Sequence, residues 1–235
     1  MTRLARAWLV ALLAGSLAVN LAGAGWLVYR RYLREPPPAS QYRITRAQLF
    51  AAVPVPAGSV VLLGDSHVDW GEWHELLGRA DVLNRGINGD TIAGALARIE
   101  PIIAGRPGQI VIMLGTNDLL RGASPARVLA DYRQLLAHIR ARSPSVAIAV
   151  NSVFPIRRML AGEGQGPLPA TIRAVNRGLA DLCHELACTY VPLFERFAAG
   201  DGELDGRYTS DGVHLNAAGY RIWSDALAAI VATTR

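Results

Sequence analysis

A carboxylate, a hydroxyl and an imidazole follow one another at Asp65, Ser66 and His67, directly after the apolar run Val60–Leu63 and Gly64. The run is short, rich in β-branched residues and stopped by glycine, which predicts a buried strand. A serine where such a strand passes into a helix can use the next backbone N–H groups and the helix dipole as an anion site. An acyl-transfer nucleophile sits at such a place, and so does an ordinary helix N-cap. A second polar pair lies far downstream in Asp211-Gly-Val-His214. Its three-residue step lets one turn present an imidazole together with the carboxylate that holds its Nδ1–H. Ester hydrolysis needs a nucleophile, a base, a group that orients the base, and donors for the oxyanion. Ser66, His214 and Asp211 suit the first three roles. The backbone N–H groups of Ser66 and Gly86, with the side-chain amide of Asn117, suit the fourth. Gly86 is chosen because a residue without Cβ lets its N–H approach the reacting centre.

The elements that must position these residues alternate along the chain. Strands are expected at Val60–Leu63, Val82–Asn84, Gln109–Leu114, Val146–Asn151 and Thr189–Val191. Helices are expected at Thr45–Val53, Trp70–Leu77, Thr91–Ile103 (capped by Thr91), Pro125–Arg142, Ala170–Ala187 and Asn216–Ala232. Buried-type strands alternating with helices predict a parallel sheet covered on both faces. Ligands of such a sheet bind at the carboxyl ends of the strands, where Asp65, Ser66, Gly86, Asn88, Asn117 and Asp118 fall. Asn117 and Asp118 also suit a brace for a strand-to-helix turn, and Asp118 reads as structural. The Gly/Pro-rich loop 152–169 has the length of a functional cover. Arg157 within it and Asn88 are candidate substrate contacts. Trp70, Trp73 and Trp223 read as core or rim packing.

The blocks Gly64-Asp65-Ser66, Gly86, Gly115-Thr-Asn117-Asp118 and Asp211-Gly-Val-His214 stand in the order seen in the SGNH, or GDSL-type, esterase/lipase hydrolases, and the chain resembles that family over roughly residues 59–220. The segment Asn84–Thr91 looks most like the branch similar to platelet-activating-factor acetylhydrolase subunits and small carbohydrate acetylesterases. The resemblance implies a flavodoxin-like three-layer α/β/α sandwich with a central parallel sheet of about five strands. It also implies a Ser-His-Asp triad of Ser66, His214 and Asp211 that uses no metal or cofactor. His67 departs from the family's usual apolar or small residue; it is expected as a partly exposed histidine or a substrate contact.

Composition bounds the rest. The 235 residues carry a net charge of +5 with no lysine. Residues 1–46 hold seven arginines against one glutamate, so the remainder is close to neutral. That distribution excludes a nucleic-acid partner. Ala7–Tyr29 is apolar apart from Ser16, Asn20 and glycines, long enough at about 34 Å to span a bilayer as a transmembrane helix. Trp8 lies at one end of it and Trp26, Tyr29 and Tyr32 at the other. Residues 1–35 are therefore expected as a single-pass inner-membrane anchor, with a cleaved signal peptide as the alternative. Residues 36–46 read as a proline-rich tether and 47–235 as the hydrolase domain, on the extracytoplasmic side, with the cytoplasmic face as the alternative because the arginines flanking the span barely discriminate. The expected partners are the membrane, through that helix, and a small-molecule, glycan or lipid ester as substrate. Cys183 and Cys188 read as two buried free thiols, or as a disulfide if the helix ends between them. Three other functions share the same residues. One is an acyltransferase to a carbohydrate; another is a metallohydrolase using Asp65, His67, Asp211 and His214; the third is a non-catalytic binding module.

Overall fold

The computed structural model describes residues 3–28, 41–158 and 167–231, and the chain divides into two units, Met1–Ser40 and Gln41–Arg235. In the first unit, α1 (Arg3–Val28) is a single 26-residue helix. Trp8, Leu12, Leu13, Leu17, Val19, Leu21 and Trp26 are exposed on it. Among the described residues no helix is long and apolar enough to cross a membrane, so the expected transmembrane span and its membrane partner are left without support. The tether's Pro36–Pro38 and residues 159–166 of the long loop lie outside the described residues.

The second unit is built on five parallel strands: β1 (Val60–Gly64), β2 (Val82–Gly86), β3 (Gln109–Met113), β4 (Ala147–Asn151) and β5 (Thr189–Val191). They lie in the order β2-β1-β3-β4-β5, the flavodoxin-like order, whose switch point falls between β1 and β3. The five residues of β1 and of β3 are all buried, as strands covered on both faces require. Successive side chains point to opposite faces, and the core divides accordingly. Val61, Leu63, Ile110, Ile112, Ile148 and Val150 pack with α5 (Ile92–Ala97), α6 (Glu100–Ala104), α8 (Pro125–Arg142) and α9 (Pro169–Glu185). Val60, Leu62, Val111, Met113 and Ala149 pack on the other face, with Val68, Trp73 and α11 (Ala217–Val231). The outcome is the expected three-layer arrangement.

Short helices fill the strand ends. The helix expected over Trp70–Leu77 forms as α4 (Trp73–Leu76), while α3 (Ser66–Asp69), α7 (Thr116–Leu120) and α10 (Phe194–Phe197) are absent from the sequence reading. At the amino-terminal edge of the unit, α2 (Gln41–Ala52) precedes β1. The helix expected over Thr91–Ile103 splits into α5 and α6, because Pro101 in the first turn of α6 has no N–H to continue the ladder. The cap expected at Thr91 does form, its Oγ1 accepting the Gly94 N–H at 3.1 Å, and Ser124 caps α8 in the same way, its Oγ accepting the Arg127 N–H at 3.2 Å. Two glycines set how closely α3 approaches the sheet. A Cβ on Gly64 would lie 2.3 Å from Val68 Cγ2, and one on Gly86 would lie 2.2 Å from the Asp69 backbone nitrogen. Cys183 and Cys188 are free thiols, the first of them buried.

Candidate active site

Ser66 opens α3 immediately after β1, so its N–H has no partner inside the helix. Asp65, fully buried, is the cap: its Oδ1 accepts the His67 N–H at 3.0 Å. Asn84 fixes the other end of α3. Its Nδ2 donates to the carbonyls of Val68 (2.8 Å), Asp69 (3.1 Å) and Gly71 (3.0 Å), while its Oδ1 accepts the Gly86 N–H at 2.8 Å. The sequence reading missed this residue. The available signal was an asparagine inside a strand, where asparagine is depleted.

The Asp211–His214 turn folds on itself. Asp211 Oδ1 accepts the backbone N–H groups of Val213 (2.9 Å) and His214 (2.8 Å), and Thr209 Oγ1 accepts that of Gly212 at 2.9 Å. Asp211 Oδ2 then meets His214 Nδ1 at 2.6 Å, and His214 Nε2 lies 2.9 Å from Ser66 Oγ. With Nδ1–H donated to the carboxylate, Nε2 is left as the acceptor for the serine proton. Burial pushes the Asp211 carboxyl up, but the His214 hydrogen bond and the two backbone N–H groups outweigh it and bring it down to about 2. The carboxylate therefore stays charged wherever the imidazole works. Trp70, half-exposed, covers one face of the His214 ring with centroids 4.0 Å apart. This tryptophan belongs to the site rather than to the core.

The oxyanion donors need one revision. Gly86 N–H is already donated to Asn84 Oδ1, so that amide is not free for a substrate; Gly86 is glycine because α3 lies against it. In the turn that follows, Asn88 N–H goes to Asp69 Oδ2 (2.9 Å) and Asp90 N–H to Ile87 O (3.0 Å). Gly89, at φ +74°, carries the amide of this turn that has no acceptor among the described residues. The Asn117 amide, at the start of α7, joins the two sides. Its Nδ2 donates to Asp90 O at 3.0 Å and lies 3.3 Å from Asp65 Oδ2. The second contact is long for a bond to a carboxylate and is the weaker of the two.

Other expected site residues fall elsewhere. His67 is not a partly exposed surface residue and has no access to substrate: it is 1% exposed, with Nδ1 3.2 Å from Asp65 Oδ1 and Nε2 3.0 Å from Val213 O. Asn88 is exposed on the rim. Arg157 supports the triad turn through its backbone N–H, which donates to Gly212 O at 2.7 Å, while its guanidinium packs over Gly206. Asp118 is buried and structural: burial is the main reason its carboxyl is pushed up to about 6, against two N–H bonds that lower it. Among the described residues no group of three or more His, Cys, Asp or Glu side chains is arranged to hold a metal ion.

Comparison with known proteins gives the family and the fold. A family model described as GDSL-like Lipase/Acylhydrolase matches residues 57–222. Esterase TesA of Pseudomonas aeruginosa is 31% identical over 134 residues, 57% of this chain and 60% of TesA. The chain thus spans about three-fifths of that relative's length. Platelet-activating factor acetylhydrolase IB subunit alpha1 of Homo sapiens is 27% identical over 168 residues, 68% of this chain and 70% of that protein. Among solved structures, a GDSL-like lipase from Bacteroides thetaiotaomicron superposes with a TM-score of 0.71 at 22% identity, covering 82% of this chain and 98% of that one. An acetyl-xylooligosaccharide esterase from Geobacillus Stearmophilus does so with a TM-score of 0.59 at 20% identity, covering 76% and 96%. At such identities the structural likeness speaks to the fold.

Proposed function

The chain belongs to the GDSL-like lipase/acylhydrolase family, whose members hydrolyse ester bonds, and on that footing we propose that it is a serine esterase cleaving a short acyl or acetyl group from an alcohol. The observation that carries the reading is the unbroken line from Ser66 Oγ through His214 to the Asp211 carboxylate, at 2.9 and 2.6 Å. Ser66 Oγ attacks the ester carbonyl as His214 Nε2 takes its proton, and Asp211 holds the imidazolium that forms. The negative charge on the carbonyl oxygen is met by the Ser66 and Gly89 N–H groups and by Asn117 Nδ2. His214 returns the proton to the leaving alcohol, which departs and leaves an acyl-Ser66. Water, deprotonated by His214, then attacks the acyl carbon and releases the acid and the free serine.

Support for a short acyl group comes from a relative whose name specifies an acetyl ester, the platelet-activating factor acetylhydrolase subunit. The test is hydrolysis of a p-nitrophenyl ester series from acetate to palmitate. kcat/KM is expected to peak at acetate to butyrate, and a maximum at palmitate would overturn the acyl assignment. The same assay with added oligosaccharide detects transfer as an acylated sugar. For location we propose that the catalytic unit is exported. The support is the pair Arg3 and Arg6 ahead of the apolar run that starts at Ala7, in a helix whose described side chains are exposed. Fractionation of cells checks this, since recovery in the cytosol would contradict it, and N-terminal sequencing distinguishes retention of residues 1–35 from their cleavage.

A further inference from the structure

A buried histidine sits directly behind the nucleophile, and the triad has no step for it. His67 has two ring contacts, and both partners are acceptors. Nδ1 faces Asp65 Oδ1 at 3.2 Å and Nε2 faces the Val213 carbonyl at 3.0 Å. A neutral imidazole has one N–H and could satisfy one of them; two hydrogen bonds of this kind require a proton on each nitrogen. The ring is 1% exposed and Asp65 is 0% exposed, so neither has water as a substitute partner. Phe154 meets the ring edge-on at 5.3 Å, and the His67 carbonyl accepts the Tyr220 hydroxyl at 2.8 Å, so residue 67 is held on all sides.

The two acceptors belong to opposite halves of the site. Asp65 caps α3 at Ser66 and lies against Asn117 Nδ2. Val213 sits between Asp211 and His214 in the turn that carries the base. The charged and titratable groups facing the ring are Asp65 from the β1 end, and Asp211 and His214 from that turn, His214 with its centroid 5.5 Å away. Burial pulls the His67 ring towards neutrality, but the Asp65 bond and charge, the Val213 carbonyl and Asp211 outweigh it, and its pKa is raised.

We propose that His67 is a positioning residue of the esterase reaction. As an imidazolium bridging the Asp65 carboxylate and the Val213 carbonyl, it fixes the turn bearing Asp211 and His214 to the strand end bearing Ser66, and keeps Asp65 aligned with the Asn117 amide. Because Asp65 neutralises it, the bridge adds no net charge beside the imidazolium that forms on His214 during attack. The inference rests on the hydrolase reading above and deepens it.

The test compares wild type with His67→Gln, whose amide can donate to one acceptor while leaving the other with no bridge. Turnover is expected to drop about 10–100-fold, the scale of a misplaced reacting group, with KM within twofold. A fluorophosphonate should still label Ser66 in both proteins. Wild-type kcat in His67→Gln would overturn the inference while leaving the hydrolase reading intact; failure of wild type to label at Ser66 would instead remove the reading beneath it. NMR of wild type with ¹⁵N-labelled histidine decides the matter if the variant does not fold. Both ring nitrogens of His67 should carry protons at neutral pH, and one bare nitrogen would overturn the bridge.

Discussion

The indole of Trp70 lies against the imidazole of His214, centroids 4.0 Å apart and planes tilted by 31°, with the tryptophan 49% exposed. An aromatic face beside a ring that becomes cationic during attack favours the charged form by about 0.5–1 kcal/mol at an exposed position, or about 2–5-fold in rate. Trp70→Ala should lower kcat by that factor, and Trp70→Phe should restore most of it. An unchanged kcat in Trp70→Ala would make the indole a bystander on the rim.

Asn84→Ala should destabilise the fold by about 1–3 kcal/mol, because it strands the Gly86 N–H and removes the donor that three carbonyls share. The denaturation midpoint measures this. Activity should fall along with it, since α3 carries Ser66; a stable, fully active variant would mean that α3 holds itself.

Asp118 gives stability a pH dependence. Its carboxyl titrates at about 6, above the ordinary 3.8, because burial disfavours the charge. Between about pH 4 and 6 the folded state therefore binds more protons than the unfolded one, and stability falls as pH rises through that window before levelling off. The loss is on the order of 2–3 kcal/mol. Asp118→Asn should remove this slope in denaturant titrations at pH 4 and 7, and an unaltered slope would contradict the assignment.

Asn117→Ala should reduce kcat by about 10²–10³ with little change in KM, because its amide serves the oxyanion more than the ground state. A rise in KM alone would reassign Asn117 to substrate binding.

Much of this was legible from residue order. Runs such as Gln109-Ile-Val-Ile-Met113 can only be strands covered on both faces, and Ser124-Pro125 marks a helix start through its own cap chemistry. The triad was legible because Asp211 and His214 are close in sequence and bond within one turn. What escaped depends on contacts between distant segments. Gly86 and Gly89 both lack Cβ, and only the Asn84 side chain, by taking the Gly86 N–H, tells them apart. His67 is polar and adjacent to the nucleophile, which suggests exposure; it is buried because Asp65 and the Val213 carbonyl, 146 residues away, supply both its partners. Trp70 ends α3, and nothing local to it reveals the approach of His214 from 144 positions away.

The most direct measurement is mass spectrometry of the protein after reaction with a fluorophosphonate, with the modified peptide sequenced and the experiment repeated on Ser66→Ala and His214→Ala. Modification confined to Ser66, absent from the first variant and strongly slowed in the second, is the predicted result, together with loss of esterase activity on the order of 10⁶ for either substitution. Esterase activity retained in Ser66→Ala, or modification of another serine at the wild-type rate, would contradict the account.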